Sequence, residues 1–296
     1  MSLINYFTPL PKTKAVIAVA CAHDVDVLKS LVLAKQQGLA DGILVGDKDK
    51  IETILTTLES ENEFEIIDQP DPIAAVNTSI QLIHQQKANI LMKGFVDTSV
   101  LLKQVVQSDT GIKSSSLLAH VTVMKVDGID RLLFMSDGAM NISPSLEQKA
   151  TIINHCVSVA KACGIQSINV GVICAVEKVH PKMECTQHAV ELIKMNQEGI
   201  ITECIVDGPF GLDNAISLEA AKHKGIDKPM AGLVDVLLMP DIDAGNIFYK
   251  TVVFMAKAEV AGVIMGATVP IVVTSRADSD QTKLNSIALA TTLIKQ

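Results

Sequence analysis

Short apolar runs rich in Val and Ile alternate along this chain with longer segments in which apolar residues recur at helical spacing. A buried parallel strand is apolar on both faces, and a helix covering a sheet repeats its apolar positions every turn. Such alternation therefore predicts repeated βα units around a mostly parallel sheet. "AVIAVAC" (15 to 21) reads as the first strand, followed by "HDVDVLKSLVLAKQQG", a helix that Gly38 stops. "DGILVGD" opens a second unit, and "FEIID" with "IAAVNTSIQLIHQQ" forms a third. "ANILMKG" (88 to 94) is a further strand ending at Lys93 and Gly94, with a helix from Thr98 onward.

The middle of the chain differs. "HVTVMKVDGIDRLLFMSDG" holds two apolar runs around Asp127 and Gly128, a hairpin signal that predicts antiparallel strands. "SPSLEQKATIINHCVSVAKACG" then reads as a helix with Ser143 or Ser145 as cap and Gly164 as stop. The βα alternation resumes through "INVGVICAV", "IITECIVDGP" and "VDVLLMPD", and closes with "AGVIMGA", "VPIVVTS" and an amphipathic helix from about Asp280. No Pro/Gly-rich linker separates these segments, so the expectation is an α/β protein of two domains that share crossing segments and enclose a cleft.

Composition narrows the function. The chain has 296 residues, 48% of them hydrophobic, which is ample for one large core or two smaller ones. No apolar stretch approaches the roughly 20 residues of a membrane span, and "MSLINYFTPLPKTK" lacks the basic-then-apolar order of a signal peptide. A soluble cytoplasmic protein with no membrane partner is expected. The six cysteines (Cys21, Cys156, Cys163, Cys174, Cys185, Cys204) lack C-x-x-C pairing, which predicts reduced thiols, and the seven histidines show no ligand spacing. A net charge of -8 with seven Phe, two Tyr and no Trp excludes a nucleic-acid surface, which needs basic stripes and stacking rings. Neither G-x-G-x-x-G nor G-x-x-x-x-G-K-[ST] occurs.

Polar clusters recur just after apolar strands: "KGFVDTS", "SDGAMNISP", "DGPFGLDN", "PDIDAGN" and "SRADSD". In open α/β sheets such turns lie at the carboxyl edge, where ligands bind and helix N-termini offer N–H groups to anions. The last cluster stands out, because only two of the 25 basic residues are arginines, Arg131 and Arg276. Arginine presents a planar, permanently charged fork that fits phosphate or carboxylate oxygens. With a helix starting near Asp278 to Asp280, Ser275 and Arg276 occupy the turn itself, near the positive end of the helix dipole. Asp278 and Asp280 can each cap that helix, and either can accept a proton from a bound nucleophile.

"SDGAMNISPSLEQKA", "DGPFGLDNAIS", "PDIDAGNIFYK" and "SRADSDQTKLNSIALA" resemble the phosphate acetyl/butyryltransferase family, and its butyryltransferase branch most of all, over roughly residues 15 to 296. The resemblance implies two α/β domains of the isocitrate/isopropylmalate dehydrogenase-like type, three-layer αβα, with the site in the interdomain cleft. Residues 1–121 plus 263–296 would form the first domain and residues 122–262 the second, inserted one. The implied reaction converts short-chain acyl-CoA, butyryl-CoA foremost, and phosphate into acyl phosphate and coenzyme A by direct attack through a tetrahedral intermediate. Coenzyme A is then a substrate or product, with no tightly bound cofactor and no metal.

By the same resemblance Arg276 binds phosphate and stabilises the transition state, Ser275 matches the catalytic-site serine beside it, and Asn246 and Lys250 of "AGNIFYK" line the site. Asn141 in "SDGAMN" and Lys93 complete the expected substrate-binding set. One departure concerns the thiol base. The aspartate proposed to deprotonate coenzyme A in the acetyl branch stands where this chain has Thr282, which leaves Asp278 and Asp280 as candidates. A homo-oligomer is expected from the resemblance alone. Two other readings were open to the sequence: a metal- and NAD-dependent hydroxy-acid dehydrogenase on the same fold, and a non-catalytic homologue that binds coenzyme A or phosphate.

Overall fold

The structure is a computed structural model that describes residues 2–7, 14–275 and 277–294. Its contacts divide the chain into two units, Met1–Leu118 with Ala261–Gln296, and Ala119–Val260.

The first unit opens with β1 (Val16–Ala20), α1 (Val25–Gln36), β2 (Asp41–Gly46), α2 (Lys48–Thr57), β3 (Glu65–Asp68), α3 (Pro72–His84), β4 (Ile90–Lys93) and α4 (Thr98–Val105). The strands are parallel and lie in the order β3, β2, β1, β4. Ile17, Ala18, Val19 and Ala20 are fully buried, as a strand covered on both faces requires. Asp24, Asp47 and Asp71 each accept backbone N–H groups at the starts of α1, α2 and α3. The chain runs outward from β1 to β3 and then returns to the far side of β1 as β4. In open α/β sheets ligands bind at such a reversal, outside the carboxyl ends of the strands, here β1 and β4.

The second unit contains β5 (Ala119–Lys125), β6 (Leu133–Ser136), α5 (Leu146–Ala162), β7 (Asn169–Ile173), α6 (Glu184–Gln197), β8 (Ile205–Phe210), α7 (Leu212–Ile216), α8 (Leu218–His223), β9 (Val236–Leu238) and α9 (Ile242–Lys250). The hairpin is present: β5 and β6 are antiparallel, and a turn between them carries Gly128 at φ +85°, a conformation suited to glycine. Ser145 caps α5 in a reciprocal capping box with Gln148. β6, β9, β7 and β8 are parallel in that order, so β9 returns between β6 and β7 and makes a second reversal.

Two expectations need correction here. "IITECIVDGP" is a strand only from Ile205, because the Asn196 side chain bonds to the carbonyls of Ile201 and Cys204 and holds that stretch as a turn. Asp207 and Gly208 consequently lie within β8 and not in the turn after it.

The first unit is completed by β10 (Glu259–Met265) from Ala261 onward, β11 (Ile271–Val272) and α10 (Asp280–Thr292). β11 runs parallel to β4, pairing Ile271 with Leu91 and Val272 with Met92, and antiparallel to β10. The terminal helix was expected to be amphipathic, yet every residue from Lys283 to Thr291 is buried. Its polar residues are satisfied locally: the Ser286 and Thr291 hydroxyls donate to carbonyls within the helix.

Candidate active site

In the first unit the sequence candidates leave neighbouring strands. Lys93 ends β4, and the Val272–Met92 pairing brings β11 alongside it, so Ser275 emerges from the same edge a few residues on. Gly94 then lies against the end of β1: a Cβ there would sit 2.2 Å from the Cys21 carbonyl oxygen. The Lys93 Nζ donates to the carbonyls of Gly94 and Val96, each at 3.1 Å, which folds it over its own loop. His23 and Phe95 meet above this edge with ring centroids 5.7 Å apart, and burial lowers the His23 pKa.

The turn after β11 is built on Asp278. Its carboxylate accepts the Ser275 N–H at 2.7 Å, and its own N–H donates to the Ser275 carbonyl at 3.1 Å. The Ser275 hydroxyl accepts the Ala277 N–H at 3.2 Å. Ser279, not either aspartate, caps α10 by accepting the Thr282 N–H. Asp280 is the first residue of that helix and pairs with Lys29 of α1 at 2.5 Å. The two aspartates thus have different work, Asp278 inside the turn and Asp280 across to α1. Thr282 faces the cap, its hydroxyl 3.1 Å from that of Ser279. Arg276 lies outside the described residues.

In the second unit the loop after β6 and the start of α9 meet at the β6/β9 reversal. Asp137 is 2% exposed, and its Oδ1 accepts the N–H groups of Ala139 and Met140 at 2.8 and 3.0 Å. Its Oδ2 accepts the Asn141 amide at 2.5 Å. Asn246, on α9, donates to the Gly138 carbonyl at 3.0 Å. Backbone approaches side-chain-free backbone here: a Cβ on Gly245 would lie 2.3 Å from the Asp137 carbonyl oxygen. Asn141 and Asn246 are therefore fastened to one loop. Lys250 stands one turn beyond Asn246, its Nζ 5.2 Å from the Tyr249 ring centroid and 5.8 Å from that of Phe254.

The arrangement invites comparison with known proteins. The "Phosphate acetyl/butaryl transferase" family profile matches residues 72–291. This chain belongs to that family. The phosphate butyryltransferase of Clostridium acetobutylicum is 44% identical over 275 residues, covering 93% of this chain and 91% of that relative. The phosphate acetyltransferase of Thermotoga maritima is also 44% identical over 275 residues, with 93% of each chain covered. Among solved structures, a branched-chain phosphotransacylase from Enterococcus faecalis V583 superposes with a TM-score of 0.86 at 28% identity, over 95% of this chain and 99% of that one.

The family match includes all the candidates named from the sequence, Lys93, Asn141, Asn246, Lys250, Ser275, Arg276, Asp278 and Asp280. The structure joins Asn141 to Asn246 through the Asp137–Gly138 loop, and Ser275 to Asp278 through the turn. Two contributors were missed. Asp137 was hidden in "SDG", where Asp-Gly reads as an ordinary turn. Lys283 was not singled out in the sequence, although it is 2% exposed and donates to the Asp278 carbonyl at 2.5 Å. Among the described residues, no group of three or more His, Cys, Asp or Glu is placed to hold a metal ion, and no helix is long and apolar enough to cross a membrane.

Proposed function

We propose that this chain transfers a short acyl group, butyryl foremost, between coenzyme A and inorganic phosphate. Membership of the family makes it an acyltransferase, and the relatives point away from the hydroxy-acid dehydrogenase reading. The observation that carries the proposal is the family match over residues 72–291, which takes in every candidate site residue. Identity does not separate the acyl chains, since the butyryl and acetyl relatives are both 44% identical. The butyryl preference rests on the resemblance of the "SRADSD" turn to the butyryltransferase branch, with Thr282 where the resemblance places the aspartate of the acetyl branch.

Chemically, a phosphate oxygen attacks the thioester carbonyl carbon, the tetrahedral oxyanion collapses, the C–S bond breaks and coenzyme A leaves as thiolate. Acyl phosphate is the other product. The reaction needs both substrates held together and a charge set against the oxyanion. In our reading Arg276 supplies that charge and holds phosphate together with Ser275, while Lys93, Asn141, Asn246 and Lys250 bind the substrates. In reverse, the thiol must lose its proton before it attacks the acyl phosphate. Asp278 has its carboxylate on the Ser275 N–H, so we assign the proton to Asp280, whose side chain is 42% exposed.

The test follows thiol release from butyryl-CoA and acetyl-CoA with and without phosphate. The proposal expects release that requires phosphate and is faster per enzyme with butyryl-CoA. Release without phosphate, or none with any short acyl-CoA, contradicts it.

A further inference from the structure

We propose that Lys283 is a positioning residue: from inside α10 its ammonium holds Asp278, and through it the Ser275 N–H, in place for phosphate. The inference rests on the acyltransferase reading above.

The observation is a cation where a helix should have none. Lys283 sits among Leu284, Ile287 and Ala288 in a helix buried along this stretch, and is itself 2% exposed. Desolvating an ammonium is costly unless polar groups replace the lost water. Its Nζ donates to the Asp278 carbonyl at 2.5 Å. Among the described residues, the carboxylate paired with it, Asp26 of α1, stands off at 3.8 Å with a side chain 54% exposed. An ion pair at that distance and exposure is a weak reason to bury a lysine. The bond to the turn is the stronger one.

The bonds form a relay. Lys283 fixes the carbonyl of Asp278, and the carboxylate of Asp278 fixes the N–H of Ser275. The other hydrogen bonds described for residues 275 to 279 run within the turn or cap α10. Lys283 therefore couples the turn at Asp278 and Ser275 to a helix held by burial. A site that binds an anion in fixed geometry needs such a support, since a displacement of about 1 Å in a binding group can cost orders of magnitude in rate.

The experiment compares wild type with Lys283→Met, which keeps the stem and removes the ammonium. Replacing a buried charge with an apolar group of similar volume is often neutral or stabilising. The expected signature is therefore an unchanged or higher Tm together with a KM for phosphate raised about tenfold or more. The KM for butyryl-CoA should stay within about twofold. Calorimetric titration with inorganic phosphate should show the same weakening without turnover. A folded variant with phosphate KM and affinity within about twofold of wild type overturns the proposal. So does a lowered Tm with both KM values unchanged, which marks a structural role alone. Should Lys283→Met fail to fold, Lys283→Gln carries the comparison: it fills part of the volume without the charge, and the same outcomes decide. A wild type that binds phosphate but shows no acyl transfer refutes the function and leaves Lys283 to be judged by titration. One that does neither removes both.

Discussion

Arg276 carries the sharpest expectation at the level of single residues. Its worth lies in a planar fork of donors and not in charge alone, so Arg276→Lys should lower kcat/KM by about a hundredfold with Tm unchanged. Near-normal turnover in that variant would remove it from the chemistry. The two aspartates separate in the same assay. Asp280→Asn should lower kcat in the acyl-CoA-forming direction by about a hundredfold with the KM for acyl phosphate little changed. Lys29→Met, which breaks the Lys29–Asp280 pair from the other side, should leave kcat near wild type. Equal losses in both variants would make Asp280 a strut. Arg276 was legible as a candidate because arginine is so rare here, two residues in 296. Lys283 was not, because a lysine in a helix normally snorkels to water, and only packing on several sides shows that this one does not.

Among the elements, those whose pattern depends on local physics were readable: β1 with its fully apolar run, α5 with its capping box, and the β5/β6 hairpin with Gly128 at its turn. Where tertiary packing decides, the pattern misled. α10 carries Ser, Thr, Asn and Lys on faces that are nonetheless buried, so no periodicity could mark which face meets solvent. β8 begins later than its apolar run because Asn196 claims the preceding carbonyls. The loop after β6 depends on contacts more than a hundred residues apart, such as Asn246 to the Gly138 carbonyl, which a strand-by-strand reading cannot see. There the close approach gives a direct test. In Gly245→Ala the new Cβ would meet the Asp137 carbonyl at 2.3 Å, backbone that cannot swing aside. We expect a loss of about 1 to 3 kcal/mol in denaturant unfolding and raised KM values. Wild-type stability and KM would show that α9 shifts freely.

For the whole molecule, two histidines whose pKa is lowered contribute to the response to acid. Burial, and then the Lys149 ammonium 3.0 Å from its Nδ1, lower the His188 pKa below 6.5, against the opposing pull of Glu184 and Glu147; burial does the same to His23. Above pH 6.5 both folded and unfolded states leave these rings neutral. As pH falls below 6.5 the unfolded chain takes up protons that the folded one resists, so stability should fall. Tm should drop between about pH 7 and pH 5, and His188→Gln should shrink that drop. An unchanged pH dependence in the variant would show that other groups set it. The central claim concerns the reaction itself, and one measurement addresses it most directly: thiol release from butyryl-CoA, in the presence of chelator, as phosphate is titrated from zero. The account predicts saturable, phosphate-dependent release of coenzyme A with stoichiometric acyl phosphate and no need for added metal or NAD. Release that ignores phosphate, or no release at all, would contradict it.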